Sequence, residues 1–150
     1  MQSPITTIPM TEPFFTGVMP LPPSINGSYK PRGGRDTHES AIAGTPELTQ
    51  FKADAALMLS NQDTTTTDWT ILNKLREANA KRCQSPLAVT LRFYFSTEWK
   101  RDLDGPIKAA IDAAFAKLEL DDRLVVDIQA KKLVDPVEPR CEIDVRCVLR

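Results

Sequence analysis

Between Leu87 and Lys131 the hydrophobic period of this chain changes twice. Leu87, Val89, Leu91, Phe93 and Phe95 alternate strictly with Ala88, Thr90, Arg92 and Tyr94, the period of a strand with one buried face. Ile107, Ala110, Ile111, Ala114, Phe115 and Leu118 then recur at i, i+3, i+4, i+7, i+8 and i+11, the stripe of a helix packed on one side. From Leu124 the period returns to two, with Leu124, Val126, Ile128 and Ala130 set against Val125, Asp127, Gln129 and Lys131. A strand, a helix and a strand in succession favour a compact unit in which the helix folds back on the sheet.

The ends of that helix carry the chemistry. Asp102 and Asp104 precede it, and Asp121 and Asp122 follow it. Pro106 suits the first turn, where its missing N–H has no helical partner to lose. That places the N-cap at Asp104 or Gly105, and a carboxylate is favoured there by the unpaired N–H groups. In extended chain before the helix, residues two apart point to one side, so Asp102 and Asp104 would present two carboxylates together. Magnesium and manganese take hard oxygen ligands of this kind. A D-x-D alone is more often a solvated strand end. The second acidic pair and the spacing around the helix favour a metal site, although spacing alone does not bring the two pairs together.

Arg101-Asp102-Leu103-Asp104, Lys108-Ala109-Ala110, Asp112-Ala113, Leu120-Asp121-Asp122 and Val125-Val126-Asp127 resemble the RusA family of Holliday junction resolvases. Leu21-Pro22-Pro23-Ser24, Asn26 and Tyr29 are similar to a second stretch of that family. At two places the chain departs from it: Gly105-Pro106 stands where a polar residue and a helix former are usual, and Glu119 where a small or aromatic residue is expected. The resemblance implies a Mg²⁺-dependent endonuclease, with Mn²⁺ as a substitute ion and no organic cofactor. Its substrate would be the four-way DNA junction of recombination and repair, cut by a homodimer. It also implies a cytoplasmic, bacterial or phage-encoded protein. Asp102, Asp104 and Asp122 are then the metal ligands, and Lys108 a catalytic cation near the scissile phosphate. Asp121 and Asp127 are left open between assisting and merely capping or being solvated. A catalytically silent DNA-binding protein of the same fold, or a phosphodiesterase acting on other DNA, remains the alternative.

DNA contacts are expected elsewhere too. Lys30, Arg32 and Arg35 flank Tyr29 and Asn26 in a Gly-broken loop from Ser24 to Thr45. Such a segment can follow a phosphate backbone and stack a base; a merely solvated loop is the competing reading. Lys132 aligns with a lysine of the family. The net charge of −1 counts against a broadly basic DNA-binding module, but phosphates meet the local distribution of charge.

Other chemistries find little support. An EF-hand reading of Asp102-Leu103-Asp104-Gly105 would put Lys100 and Ile111 at positions that must donate oxygen. The single histidine, His38, has no partnered nucleophile in sight. Cys83, Cys141 and Cys147 are an odd number without metal-site spacing, so buried reduced thiols are expected. No apolar run approaches the ~20 residues of a membrane span, and the N-terminus lacks the pattern of a secretory signal.

The rest of the chain completes one domain. Residues 1–12 read as a loose tail ahead of a domain over 13–150. Phe14 to Met19 is a first strand, stopped by Pro20, Pro22 and Pro23. Leu48, Phe51, Ala55 and Leu59 mark a helix opened by Thr45-Pro46. Ser60 to Thr67 reads as a polar loop, and Asp68 as the cap of a second helix carrying Leu72, Leu75 and Ala78. This 60–82 stretch looks like an insertion relative to the family. A break at Asp135-Pro136 precedes a last strand in which Ile143, Val145 and Cys147 oppose Glu142, Asp144 and Arg146. The expected fold is α+β, a single domain with one mixed sheet packed by helices, in the order β-α-α-β-α-β-β.

Overall fold

In the computed structural model the period-two stretch forms the longest buried strand, and the sheet is built around it. The structure describes residues 10–23, 46–80, 85–98 and 102–149. Its strands are β1 (Phe15–Met19), β2 (Thr66–Thr67), β3 (Leu87–Phe95), β4 (Val125–Val134) and β5 (Arg140–Cys147). Its helices are α1 (Pro46–Met58), α2 (Trp69–Ala80) and α3 (Asp104–Leu118), with a 3₁₀ turn at Asp122–Leu124. The sheet is mixed, in the order β2-β1-β5-β3-β4. β3 and β4 are parallel and the other pairings antiparallel. The fold is α+β, as the sequence predicts.

β3 and β4 are the two strands of the strand–helix–strand unit, and α3 is its crossover. Leu87, Val89, Leu91, Phe93 and Phe95 are all buried, as are Ala110, Ile111, Ala114, Phe115 and Leu118 of α3. Leu48, Phe51, Ala55 and Leu59 bring α1 into the same core, and Cys141, Ile143 and Val145 do so from β5. The opposite face of the sheet is charged. There Arg92, Glu142, Asp144 and Arg140 form linked ion pairs.

Three expectations about local structure need correction. The stretch from Ser60 to Thr67 is not loop throughout, because Thr66 and Thr67 pair with Thr16 and Phe15 as a short edge strand. The N-cap of α3 is Leu103, not Asp104 or Gly105; its backbone is already right-handed helical and its side chain caps nothing. Asp104 is therefore the first helical residue, and it does not share an extended segment with Asp102. Finally, the alternation in β4 breaks at Val126. Leu87 pairs with Val125 and Ala88 with Asp127, so Val126 is the extra residue of a bulge. Beyond it Ile128 and Ala130 stand on the α3 side, opposite Val89 and Leu91.

The stretch after α1 is integrated in the core. Asp68 caps α2 as expected, its Oδ1 accepting from the N–H groups of Thr70 and Ile71 at 3.1 and 3.2 Å. Leu72 and Leu75 are buried, and Arg76 Nε donates to the Leu118 carbonyl at 2.8 Å. Near the N-terminus, Thr11 N–H bonds the Cys147 carbonyl at 3.0 Å, so the chain joins β5 before β1 begins. Cys141 is buried and Cys147 half-buried, and neither is bonded in a disulfide. Burial pushes the Cys141 thiol up to about 12. No helix among the described residues is long and apolar enough to cross a membrane.

Candidate active site

α3 runs antiparallel to β4, because it returns the chain between two parallel strands. Along their contact lies an open groove of about 360 Å³. One wall is a face of α3: Asp104, Ile107, Lys108, Ile111 and Asp112, at i, i+3, i+4, i+7 and i+8. The other is Asp122, Val125 and Ile128. Three of the sequence-predicted residues, Asp104, Lys108 and Asp122, thus share one groove.

The two ends of α3 are built differently. At the entry to α3, Asp104 sits in the first turn, where unpaired N–H groups favour a carboxylate. Gly105 and Pro106 beside it are buried. At the exit, Glu119 holds a left-handed conformation, with φ of 57°, and its N–H bonds the Ala116 carbonyl. The Leu120 N–H bonds the Phe115 carbonyl, which turns the chain sharply towards β4. A non-glycine residue adopts this conformation at a cost of ~1–2 kcal/mol.

Asp121 is committed to structure. Its Oδ1 accepts from the Arg123 N–H at 2.9 Å, and its Oδ2 lies 2.7 Å from Arg123 Nη2. These bonds to Arg123 hold its carboxyl below the usual carboxylate range. Of the two readings left open, capping the turn is the one the geometry supports. Asp122 opens the 3₁₀ turn and is exposed. Asp127 pairs with Ala88, on the face of the sheet away from Ile128 and the groove. Lys108 Nζ lies 3.3 Å from Asp112 Oδ2. Asp112 is therefore a third carboxylate of the groove. The sequence shows it as the partner of Lys108, and the i, i+4, i+8 spacing from Asp104 is the signal that places it here.

Asp102 is exposed, two residues before Asp104. Lys132 is exposed on β4, opposite Phe93, and so faces the α3 side. Lys30, Arg32, Arg35, Asn26 and Tyr29 lie outside the described residues, as does His38. Among the described residues, no three His, Cys, Asp or Glu side chains converge as a ready metal cage. The donor chemistry still suits a hard ion. Magnesium is commonly held by one or two carboxylates together with substrate phosphates, and Asp104, Asp112 and Asp122 line the groove.

The model of the RusA endodeoxyribonuclease family matches residues 20–146, from the proline run after β1 to Arg146 within β5. The chain belongs to the RusA endodeoxyribonuclease family. No curated protein matches it. The family match takes in every candidate metal, catalytic and DNA-contacting residue named above. An α+β domain with a mixed sheet and an acidic groove beside β4 is thus the form that a RusA-family chain takes here.

Proposed function

We propose that this protein is a divalent-metal-dependent endonuclease that resolves four-way DNA junctions in recombination and repair, hydrolysing a pair of phosphodiesters as a homodimer. Membership of the RusA family carries this reading, and the groove supports it by gathering Asp104, Lys108 and Asp122. Asp102, Asp104 and Asp122 would hold Mg²⁺, or Mn²⁺ in its place. Such an ion, when bound, supplies Lewis acidity to the phosphodiester and lowers the pKa of an attacking water.

The chain's own residues orient the substrate. Lys108 projects from the exposed side of α3 with an ammonium able to hold a non-bridging phosphate oxygen. Its present partner, Asp112, lies in the same groove, so an incoming phosphate would compete for that ion pair. Lys132, on the same side of the sheet, can hold the DNA backbone beside it. Lys30, Arg32 and Arg35, with Asn26 and Tyr29, would extend that contact along the junction arms.

The test uses labelled four-way junction and linear duplex, each with Mg²⁺, with Mn²⁺ and with EDTA. Paired cuts in the junction that need the ion and spare the duplex are expected. Asp102→Asn, Asp104→Asn and Asp122→Asn should each lower cleavage by about 10²-fold or more, on the scale of lost electrostatic stabilisation. Junction binding should persist or tighten, because less negative charge then faces the phosphates. Normal cutting by all three variants would place the site elsewhere. Tight binding by the wild type with no cutting under any ion would identify a silent DNA-binding protein.

A further inference from the structure

The 60–82 stretch, which the nuclease reading leaves without a role, builds most of a second cavity of about 580 Å³. Gln62, Thr65, Trp69 and Arg76 line it from that stretch, and Lys117 and Leu118 from the last turn of α3. Its floor includes the β1–β2 pair, at the edge of the sheet opposite β4. The cavity shares no lining residue with the acidic groove. The charge around it is also of the other sign. Arg76 and Lys117 line it and no Asp or Glu does, whereas three aspartates line the groove.

Trp69 is 60% exposed although it lines this cavity. A single exposed aromatic residue is ordinary, but this ring stands among cations and unused polar groups. The Arg76 guanidinium lies 6.0 Å from its centroid, near the outer limit of a cation–π contact. Arg76 Nε is tied to the Leu118 carbonyl at 2.8 Å, which fixes the arginine beside the ring and uses one of its five donors. Lys117 Nζ lies 2.9 Å from Ser60 Oγ, a neutral partner. The Thr65 hydroxyl is buried with no hydrogen-bond partner, alone in this among the side-chain polar atoms of the described residues. Such a group costs free energy until something supplies a partner.

An open aromatic face stacks any nucleobase, and cations beside it suit the attached phosphate. The Gln62 amide and the threonine hydroxyls offer both donors and acceptors to a base edge. The volume is that of a small-ligand site. Reach selects the source of the nucleotide. Leu118 lines this cavity and Asp122 the groove, and four residues of chain span at most ~14 Å. At ~3.4 Å per stacked nucleotide, one strand covers that distance in about four nucleotides. We infer, on the basis of the nuclease reading above, that this cavity captures one unpaired nucleotide of the DNA strand lying in the acidic groove, its base on Trp69 and its phosphate on Arg76 and Lys117. The cavity therefore favours branched DNA with a single-stranded stretch over fully paired arms.

Tryptophan fluorescence tests this, because the chain has two tryptophans, Trp69 and Trp99, and a stacked base quenches the ring it covers. Single-stranded pentathymidylate should quench the wild type. W69L should remove that quenching and weaken binding about 10-fold or more, read by anisotropy of the labelled oligonucleotide. K117Q should keep the quenching at saturation and make the salt slope shallower by about one. Both side chains are exposed, so denaturation midpoints should stay near the wild type, and cleavage of a fully paired junction within about twofold. Undiminished quenching in W69L would put the base on Trp99 and overturn the proposal. Should W69L fail to fold, Trp99→Phe answers the same question: its only tryptophan is Trp69, and a protein that is not quenched overturns the proposal. Thymidine 5′-monophosphate should bind at least about 10-fold more weakly than the oligonucleotide; equal binding would make this a site for free nucleotides and overturn the strand-borne assignment. A wild type that is quenched through Trp69 yet cuts no junction with any ion would sink the nuclease reading while leaving the nucleotide site in place.

Discussion

Arg92 on β3 reaches Asp144 on β5 through two contacts, Nη1 to Oδ2 at 3.2 Å and Nη2 to Oδ1 at 3.4 Å. Its Nε also bonds Glu142 at 3.1 Å. Asp144 is 9% exposed, the one charged residue among those buried in the described part of the chain. Its two oxygens and the planar guanidinium match as a fork, which is why an arginine suits this place. These bonds hold the Arg92 guanidinium protonated, well above its ordinary range.

Removing one partner leaves the other charge only partly solvated on the sheet face. Arg92→Met should therefore destabilise the fold by about 1–3 kcal/mol, less than a fully buried pair because the arginine keeps some contact with water. Arg92→Met with Asp144→Leu should recover part of that loss, since the least exposed charge leaves with its partner and the more exposed Arg146, 3.7 Å from Asp144, loses one contact. Urea denaturation of the three proteins measures both effects. A single variant as stable as the wild type would show that solvent already screens the pair.

The strands and helices that bury a regular stripe were legible from their residues. β3 and α3 repeat apolar side chains over two or more full periods, and tertiary packing reinforces what that pattern favours. The bulge at Val126 was not. Every residue from Leu124 to Val126 is apolar, so the pattern is the same whether or not one is extruded, and only the partner strand fixes the register. Thr66-Thr67 was equally hidden, because a two-residue edge strand exists through its hydrogen bonds to Phe15 and Thr16 rather than through any period. At the site, the acidic residues and Lys108 could be named from the sequence. Their placement at the two ends of α3 followed from where the helix begins and stops. The engagement of Asp121 by Arg123 depends on the geometry of a turn that two adjacent aspartates do not specify.

Acid should weaken the fold through the turn between β4 and β5. Arg140 lies 2.8 Å from Asp135 Oδ2 and 2.9 Å from Glu142 Oε2, and it stacks 4.0 Å over the Tyr94 ring. Its hydrogen bond, with the Glu138 and Val137 N–H groups, holds the Asp135 carboxyl below its ordinary 3.8. Burial pushes the Glu142 carboxyl up, but the bonds from Arg140 and Arg92 outweigh this and leave it below 4.5. A carboxyl depressed in the folded state adds stability above its unfolded pKa, and that stability is lost as pH falls through the folded value. The denaturation midpoint should therefore hold steady from neutral pH to about 5 and decline below about 4.5. Arg140→Gln should flatten the decline. An unchanged acid limb in that variant would assign the loss to other carboxylates.

Lys108 separates a structural role from a chemical one. Its ion pair with Asp112 at 3.3 Å is exposed and spaced at i, i+4, worth about 0.3–0.5 kcal/mol to a helix. Lys108→Ala should thus shift the denaturation midpoint only slightly. If the ammonium acts on charge that develops as the phosphodiester breaks, kcat should fall by about 10–100-fold while junction affinity changes little. Asp112→Ala, which frees the ammonium, should not reproduce that loss. Substitution of Lys30, Arg32 or Arg35 should give the opposite pattern: weaker binding and a salt slope shallower by about one for each phosphate no longer neutralised. Filter binding across a salt series, with single-turnover cleavage of the same junction, distinguishes the two. A Lys108→Ala protein that loses only affinity and salt slope would make this lysine one more phosphate ligand among several.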